Sequence, residues 1–160
     1  MKGIKESELL ISSELKFSWI IPNKLAGMRM PGDMNPVDEE IEFLHGQGVT
    51  LIVNLTEDEY PYPEYYEHFK IVEIPIVEFD VPTNEQIDYL VDLFRLMSEK
   101  DAMVVHCRAG IGRTGIALAC LLGTVENLTG EDAIEQIRSI RSASFDNHLQ
   151  ACFIQEYLEA

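Results

Sequence analysis

The sequence predicts an α/β domain of three layers, a central mostly parallel sheet flanked by helices, and three observations carry that prediction. Continuous apolar runs at Val49 to Leu55 and Met103 to Val105 have strand length and no in-and-out alternation, as a sheet covered on both faces requires. Helical spacing separates them, clearest in Ile87, Leu90, Val91, Phe94 and Met97. Strands and helices then alternate to the end of the chain, with no internal repeat and no low-complexity tract. At 160 residues the chain is expected to be one domain spanning residues 1–160, able to bury roughly two-thirds of its unfolded surface without disulfides or metal.

Taken in order, Met1 to Lys16 is partly amphipathic and reads as a short helix or an arm. Phe17 to Ile21 is strand-like, Pro22-Asn23-Lys24 turns it, and Leu25 to Met28 returns as a second strand. Asn35 can cap a helix with Pro36 at its first position and an apolar face of Val37, Ile41, Phe43 and Leu44, ended by Gly46 and Gly48. Thr56 to Phe69, acidic and aromatic with two prolines, reads as a surface loop with room for one helical turn. Its Tyr60, Tyr62, Tyr65 and Tyr66 either form a rim that clasps a substrate ring or pin the loop to the core. Ile71 to Ile76 is the next strand. Thr83 with Gln86 three residues on signals a capping box for a helix ending near Lys100. Gly112 to about Val125 is apolar nearly all round and should lie in the core with Cys120 as a small buried hydrophobe. Thr129 opens a helix with Ala133, Ile134, Ile137 and Ile140 inward and Arg138 and Arg141 free to project, and a last helix begins near Asp146.

The chemistry concentrates between the strand at Met103 and the buried helix, in His106-Cys107-Arg108-Ala109-Gly110-Ile111-Gly112-Arg113-Thr114-Gly115. Two glycines between Cys107 and Arg113 let the backbone curl and aim successive N–H groups at one point, with the positive end of the next helix behind them. Such a loop cradles a tetrahedral dianion, and the same field stabilises a thiolate at its floor. Arg113 can fork two N–H groups onto non-bridging oxygens. Thr114 can donate its hydroxyl proton to a departing thiolate. His106 either fixes the loop through its ring nitrogens or is a satisfied core histidine at a strand end.

This stretch resembles the H-C-x5-R-[ST]-G signature of the cysteine-dependent protein tyrosine phosphatases, without a gap. Further similarity to the small atypical dual-specificity phosphatases and their archaeal and bacterial relatives runs through Phe17-Ser18-Trp19-Ile20, Leu25-Ala26-Gly27, Val53-Asn54-Leu55-Thr56-Glu57 and Ala133-Ile134 to Arg141. The resemblance implies a protein tyrosine phosphatase-like fold and hydrolysis of phosphotyrosine, and of phosphoserine and phosphothreonine, through a cysteinyl-phosphate intermediate without metal or cofactor. Cys107 would be the nucleophile; Arg108, Ala109, Gly110, Ile111, Gly112 and Arg113 would hold the phosphoryl group. A loop acid must protonate the leaving oxygen and then activate water. Counted back from Pro82-Thr83, the family's Asp position falls on Glu78, while an Asp stands two residues later at Asp80. Glu78 keeps the register and adds a methylene; Asp80 keeps the residue type and needs the loop to shift. Gln150 matches the family's water-orienting glutamine, Asp146 lies where many relatives have Glu, and the family's Arg-Pro turn appears as Arg141-Ser142. The displaced acid keeps a non-catalytic phosphoprotein-binding module open, and a phosphoinositide or nucleotide-end phosphatase would share the same loop.

A formal net charge of −16 argues against nucleic acid as a partner, because phosphate backbones are bound by basic surface. In that acidic exterior Arg108, Arg113, Arg138 and Arg141 would form one positive pit, its rim favouring substrates with basic flanks. No apolar stretch is long enough to cross a bilayer, and Met1 to Glu8 lacks the apolar core of a signal peptide. Three cysteines without CxxC spacing suit reduced thiols. The expectation is a cytoplasmic monomer acting on a phosphoprotein or phosphopeptide, away from membranes.

Overall fold

A computed structural model describes residues 6–60, 62–145 and 147–159. Five strands form one sheet in the order β1-β2-β5-β3-β4, from β1 (Ser18–Ile21), β2 (Leu25–Met28), β3 (Leu51–Asn54), β4 (Lys70–Glu73) and β5 (Met103–His106). Only the β1–β2 hairpin is antiparallel; β2–β5, β5–β3 and β3–β4 are parallel. The three central strands are buried along their whole length, which is why their sequences are apolar without alternation.

Alternate residues of those strands feed two cores. Leu25, Leu51, Val53, Met103 and Val105 face α4 (Asn84–Arg95), α5 (Gly112–Glu126), α6 (Gly130–Ile140) and α7 (His148–Glu159). Ala26, Met28, Ile52 and Val104 face α1 (Glu6–Leu15), α2 (Val37–Gly46) and the short α3 (Pro63–His68). The result is the expected three layers. α5 is the most buried helix, every residue from Gly112 to Gly123 being inside. Cys120 on it is fully buried, and desolvation pushes its thiol pKa up.

Local signals hold where the partners are local. Thr83 and Gln86 make both bonds of a capping box, and Thr129 Oγ1 accepts the Asp132 amide to start α6. Three expectations are corrected. Asn35 caps nothing: α2 starts after Pro36 without a side-chain cap, and Asn35 Nδ2 instead reaches Glu40 Oε2 at 3.4 Å. α4 stops at Arg95 rather than near Lys100, because Asp101 Oδ2 accepts the Ser98 amide and hydroxyl and turns the chain into β5. The fourth strand is shorter than Ile71 to Ile76, although the Ile74 and Ile76 amides still bond the Asn54 and Leu55 carbonyls. Among the described residues no helix is long and apolar enough to cross a membrane.

Candidate active site

β5 ends at the centre of the sheet and delivers Cys107, 3% exposed, into a loop that closes on α5. Two carbonyls of that loop are tied to its outside: Met30 N–H donates to Arg108 O at 3.0 Å, and Arg141 Nη2 to Gly110 O at 2.8 Å. Among the described residues the amides of 108–114 donate to no backbone carbonyl, and the first helical pairing is Gly115 N to Ile111 O. Carbonyls held outward and amides left uncommitted at a helix start are what anion binding requires. Gly110 is indispensable to the curl, since its φ is +74° and a Cβ there would stand 2.8 Å from Met28 O.

The side chains around the sulfur are fixed from several elements. Thr114 Oγ1 donates to Cys107 Sγ at 3.0 Å from the first turn of α5. Arg113 is buried, and its Nη1 donates to Ile76 O at 3.0 Å, which ties it to the segment after β4. His106 is wholly buried with Nδ1 3.1 Å from Cys107 O; in the tautomer that donates there, Nε2 is left buried without a protein partner. Burial chiefly, with the Arg113 charge adding, pushes its pKa down to about 4. The ring is therefore a neutral wedge under the loop at physiological pH.

Arg141 does not project, contrary to expectation. Its guanidinium is buried and donates to the carbonyls of Lys16, Gly27 and Gly110 and to Ser18 Oγ, joining α1, the β1–β2 hairpin and the Cys107–Arg113 loop. Burial lowers its pKa while the nearby Cys107 opposes that shift. Arg138 lies over the Phe145 ring at 5.0 Å. Arg108 is exposed and 3.9 Å from Asp58, so the four arginines expected in one pit are dispersed: Arg113 is tied to Ile76 O, Arg141 braces the loop at Gly110 O, and Arg138 covers Phe145. Of the two readings open for the tyrosines, Tyr60 and Tyr65 take the second, a loop pinned to the core. Tyr60 and Tyr65 are buried, with Tyr60 5.7 Å from the His106 ring and Tyr65 donating to Glu40 Oε1 at 2.9 Å. They pin the loop from below; Tyr66 stays outside at 51% exposure.

Glu78 and Asp80 occupy an exposed turn before α4, closed by Asp80 N to Val77 O at 3.0 Å, with Phe79 at a φ of +65°. Asp80 Oδ1 accepts the Val81 amide at 2.8 Å. α7 holds this turn by its backbone: Asn147 Nδ2 donates to Phe79 O at 3.0 Å and Gln150 Nε2 to Asp80 O at 3.3 Å. Gln150 is fully buried rather than a surface amide. Asp146 lies outside the described residues. Asn147, which the sequence reading passed over, does two jobs, since its Oδ1 also accepts the Gln150 amide at the start of α7. An Asn three residues ahead of a helical Gln was the available signal.

A mostly parallel sheet whose central strand ends in a cysteine, closed by an arginine at the start of the next helix, defines the protein tyrosine phosphatase class. The crystal structure of Tk-PTP in the active form has this fold: TM-score 0.77 at 23% identity, over 89% of this chain and 96% of that one. The chain belongs to the family described as PTP-SAK, Swiss Army Knife protein, DSP-PTPase phosphatase domain, whose model matches residues 14–154. Among curated relatives it is 26% identical over 159 residues to the mouse protein tyrosine phosphatase domain-containing protein 1. It is also 24% identical over 150 residues to the Caenorhabditis elegans tyrosine-protein phosphatase cdc-14. These matches cover 89% and 88% of this chain but only 21% of either relative, so it spans about a fifth of their length.

Proposed function

We propose that this chain is a cysteine-dependent phosphatase that hydrolyses phosphoprotein monoesters, phosphotyrosine first, through a cysteinyl-phosphate intermediate. The observation that carries the reading is the Thr114 hydroxyl 3.0 Å from Cys107 Sγ at the floor of a loop whose amides are uncommitted. The Cys107 thiolate attacks phosphorus, forming S–P as the P–O ester bond breaks, while Arg113 and the loop amides hold the non-bridging oxygens. The leaving oxygen takes a proton from a carboxylic acid of the turn before α4. Water then attacks the thiophosphate, the same carboxylate removes its proton, and the thiolate departs under the Thr114 hydroxyl. Glu78 is the better acid: Asp80 already gives Oδ1 to the Val81 amide and its carbonyl to Gln150.

The test is phosphate release from a phosphotyrosine peptide in EDTA by the wild type and by Cys107→Ser. Turnover that survives EDTA and disappears in the variant supports the thiolate route. Peptide binding without release by the wild type would make the chain a phosphate-reading module. Faster release from a phosphoinositide than from any peptide would move the substrate class to lipid. Glu78→Gln should lose the alkaline limb of the pH–rate profile and Asp80→Asn should keep it; the reverse assigns the acid to Asp80.

A further inference from the structure

Beside the catalytic loop runs a groove of about 460 Å³ between α1 and the turn that follows α6, and it shares Gly110 and Ile111 with the phosphate cradle. Its apolar lining is Leu9, Phe17, Ile111, Ile140 and Ala143, and two of these are conspicuously uncovered, Leu9 at 54% and Ile140 at 45% exposure. Ser12, Ser13, Ser18 and Ser142 supply its polar edge. Among the described residues no carboxylate lines it, although the chain carries 28 Asp and Glu against 12 Lys and Arg. Of its two cationic residues Arg141 is buried in bonds to backbone and Ser18, so Lys16 is the one whose charge faces solvent. Elsewhere on the loop the surroundings are opposite in sign, for Arg108 stands beside the exposed Asp58. The cradle is thus flanked by an apolar, carboxylate-free groove on the α1 side and by an acidic segment on the β3 side.

A phosphorylated residue held in the cradle must send its own chain out along the rim. We propose that the α1 groove seats the segment of a phosphoprotein substrate next to the phosphorylated residue and takes a large aliphatic or aromatic side chain from it. This rests on the reading of the chain as a protein phosphatase, and on this flank it replaces the expectation of basic residues. Continuity with the cradle through Gly110 and Ile111 is what selects a substrate segment as the occupant, and the size suits one bulky side chain with its neighbours. Substrate recognition is then directional, with an apolar residue on one side of the phosphate and basic residues tolerated on the other.

The experiment compares kcat/KM for p-nitrophenyl phosphate, which is too small to reach the groove, with that for phosphotyrosine peptides carrying Leu, Glu or Lys at each flanking position. The Leu peptide should exceed its Glu and Lys counterparts by about tenfold at one flank only, the discrimination expected of a partly buried apolar side chain. Leu9→Asp and Ile140→Asp should each erase most of that preference relative to p-nitrophenyl phosphate. Ser142→Trp, which blocks the groove from an exposed turn, should do the same if the aspartates loosen α1 or α6. No flank preference in the wild type, or a preference untouched in all three variants, overturns the inference. So does a wild-type dimer that Leu9→Asp dissolves, since the groove would then hold a second copy. Absence of turnover on both p-nitrophenyl phosphate and peptides would sink the phosphatase reading by itself; anisotropy of the same labelled peptides on Cys107→Ser then reads the groove, and equal affinities for Leu, Glu and Lys overturn it.

Discussion

Replacing Arg141 by Met should disable the site from a position outside it. The guanidinium donates to the carbonyls of Lys16, Gly27 and Gly110 and to Ser18 Oγ, and the methionine keeps most of the volume but supplies no donor. Lys16 and Ser18 are open enough to turn to water, so their share is small. Gly110 is buried in a loop, and its carbonyl left unpaired costs about 1–3 kcal/mol, whereas Gly27 keeps its place opposite Ser18 in the β1–β2 ladder. In a domain of this size that corresponds to a midpoint lowered by roughly 5 °C. The Gly110 carbonyl would also be free to swing inward, where it would displace an amide from the cradle and repel a dianion. Below the lowered midpoint, kcat/KM for p-nitrophenyl phosphate should fall by about a hundredfold, the size of effect expected when oxyanion donors are lost. Arg141→Lys should recover part of the stability and little of the activity, because one ammonium cannot span four acceptors. Calorimetry and initial rates at 15 °C check both. A variant with wild-type midpoint and rate would refute the bracing role.

The other expectations are smaller. Thr114→Val removes the one side-chain donor to the Cys107 sulfur among the described residues, so breakdown of the cysteinyl phosphate should slow by about tenfold or more and rapid-quench traces should show a burst. His106, held neutral with a folded pKa near 4 against an ordinary value of 6.5, takes up a proton more readily when unfolded. Stability should therefore rise with pH between about 4 and 6.5 by about 3 kcal/mol, and urea melts of His106→Gln should lack that slope. Glu40 works against it: burial raises its pKa, so stability falls as pH rises through the folded value, and Glu40→Gln should flatten that fall while keeping acceptors for Tyr65 and Gly32. Asn147→Ala loses a helix start and the hold on Phe79 O, which should lower stability by about 1 kcal/mol and weaken the alkaline limb of the rate profile while leaving KM near its original value.

Most of the central machinery was legible because its signals are local. The apolar runs of β3 and β5, the glycines of the loop, the spacing from Cys107 to Arg113 and the Thr83–Gln86 box each lie within about a dozen residues. Backbone geometry over such a distance depends on few neighbours. The acid-bearing turn was legible as a place, while its geometry was not: the positive φ at Phe79 and the grip of Asn147 and Gln150 bring together residues about 70 apart.

What the amino-acid sequence by itself determined is the order of strands and helices, the sheet's buried centre, the family, and a sulfur, an arginine and a hydroxyl set around one loop. Only the tertiary structure decided the use of Arg141, an arginine at the end of an amphipathic helix that composition alone reads as solvated. Its partner at Gly27 lies 114 residues away, and a buried guanidinium is tolerable only where several carbonyls converge on it. The same holds for Tyr60 and Tyr65, for which the sequence left a rim and a pinned loop both open; their contacts with the His106 ring and with Glu40 make them pins. Periodicity fixes which residues an element can bury; which of its polar groups are spent on structure depends on what the fold brings opposite.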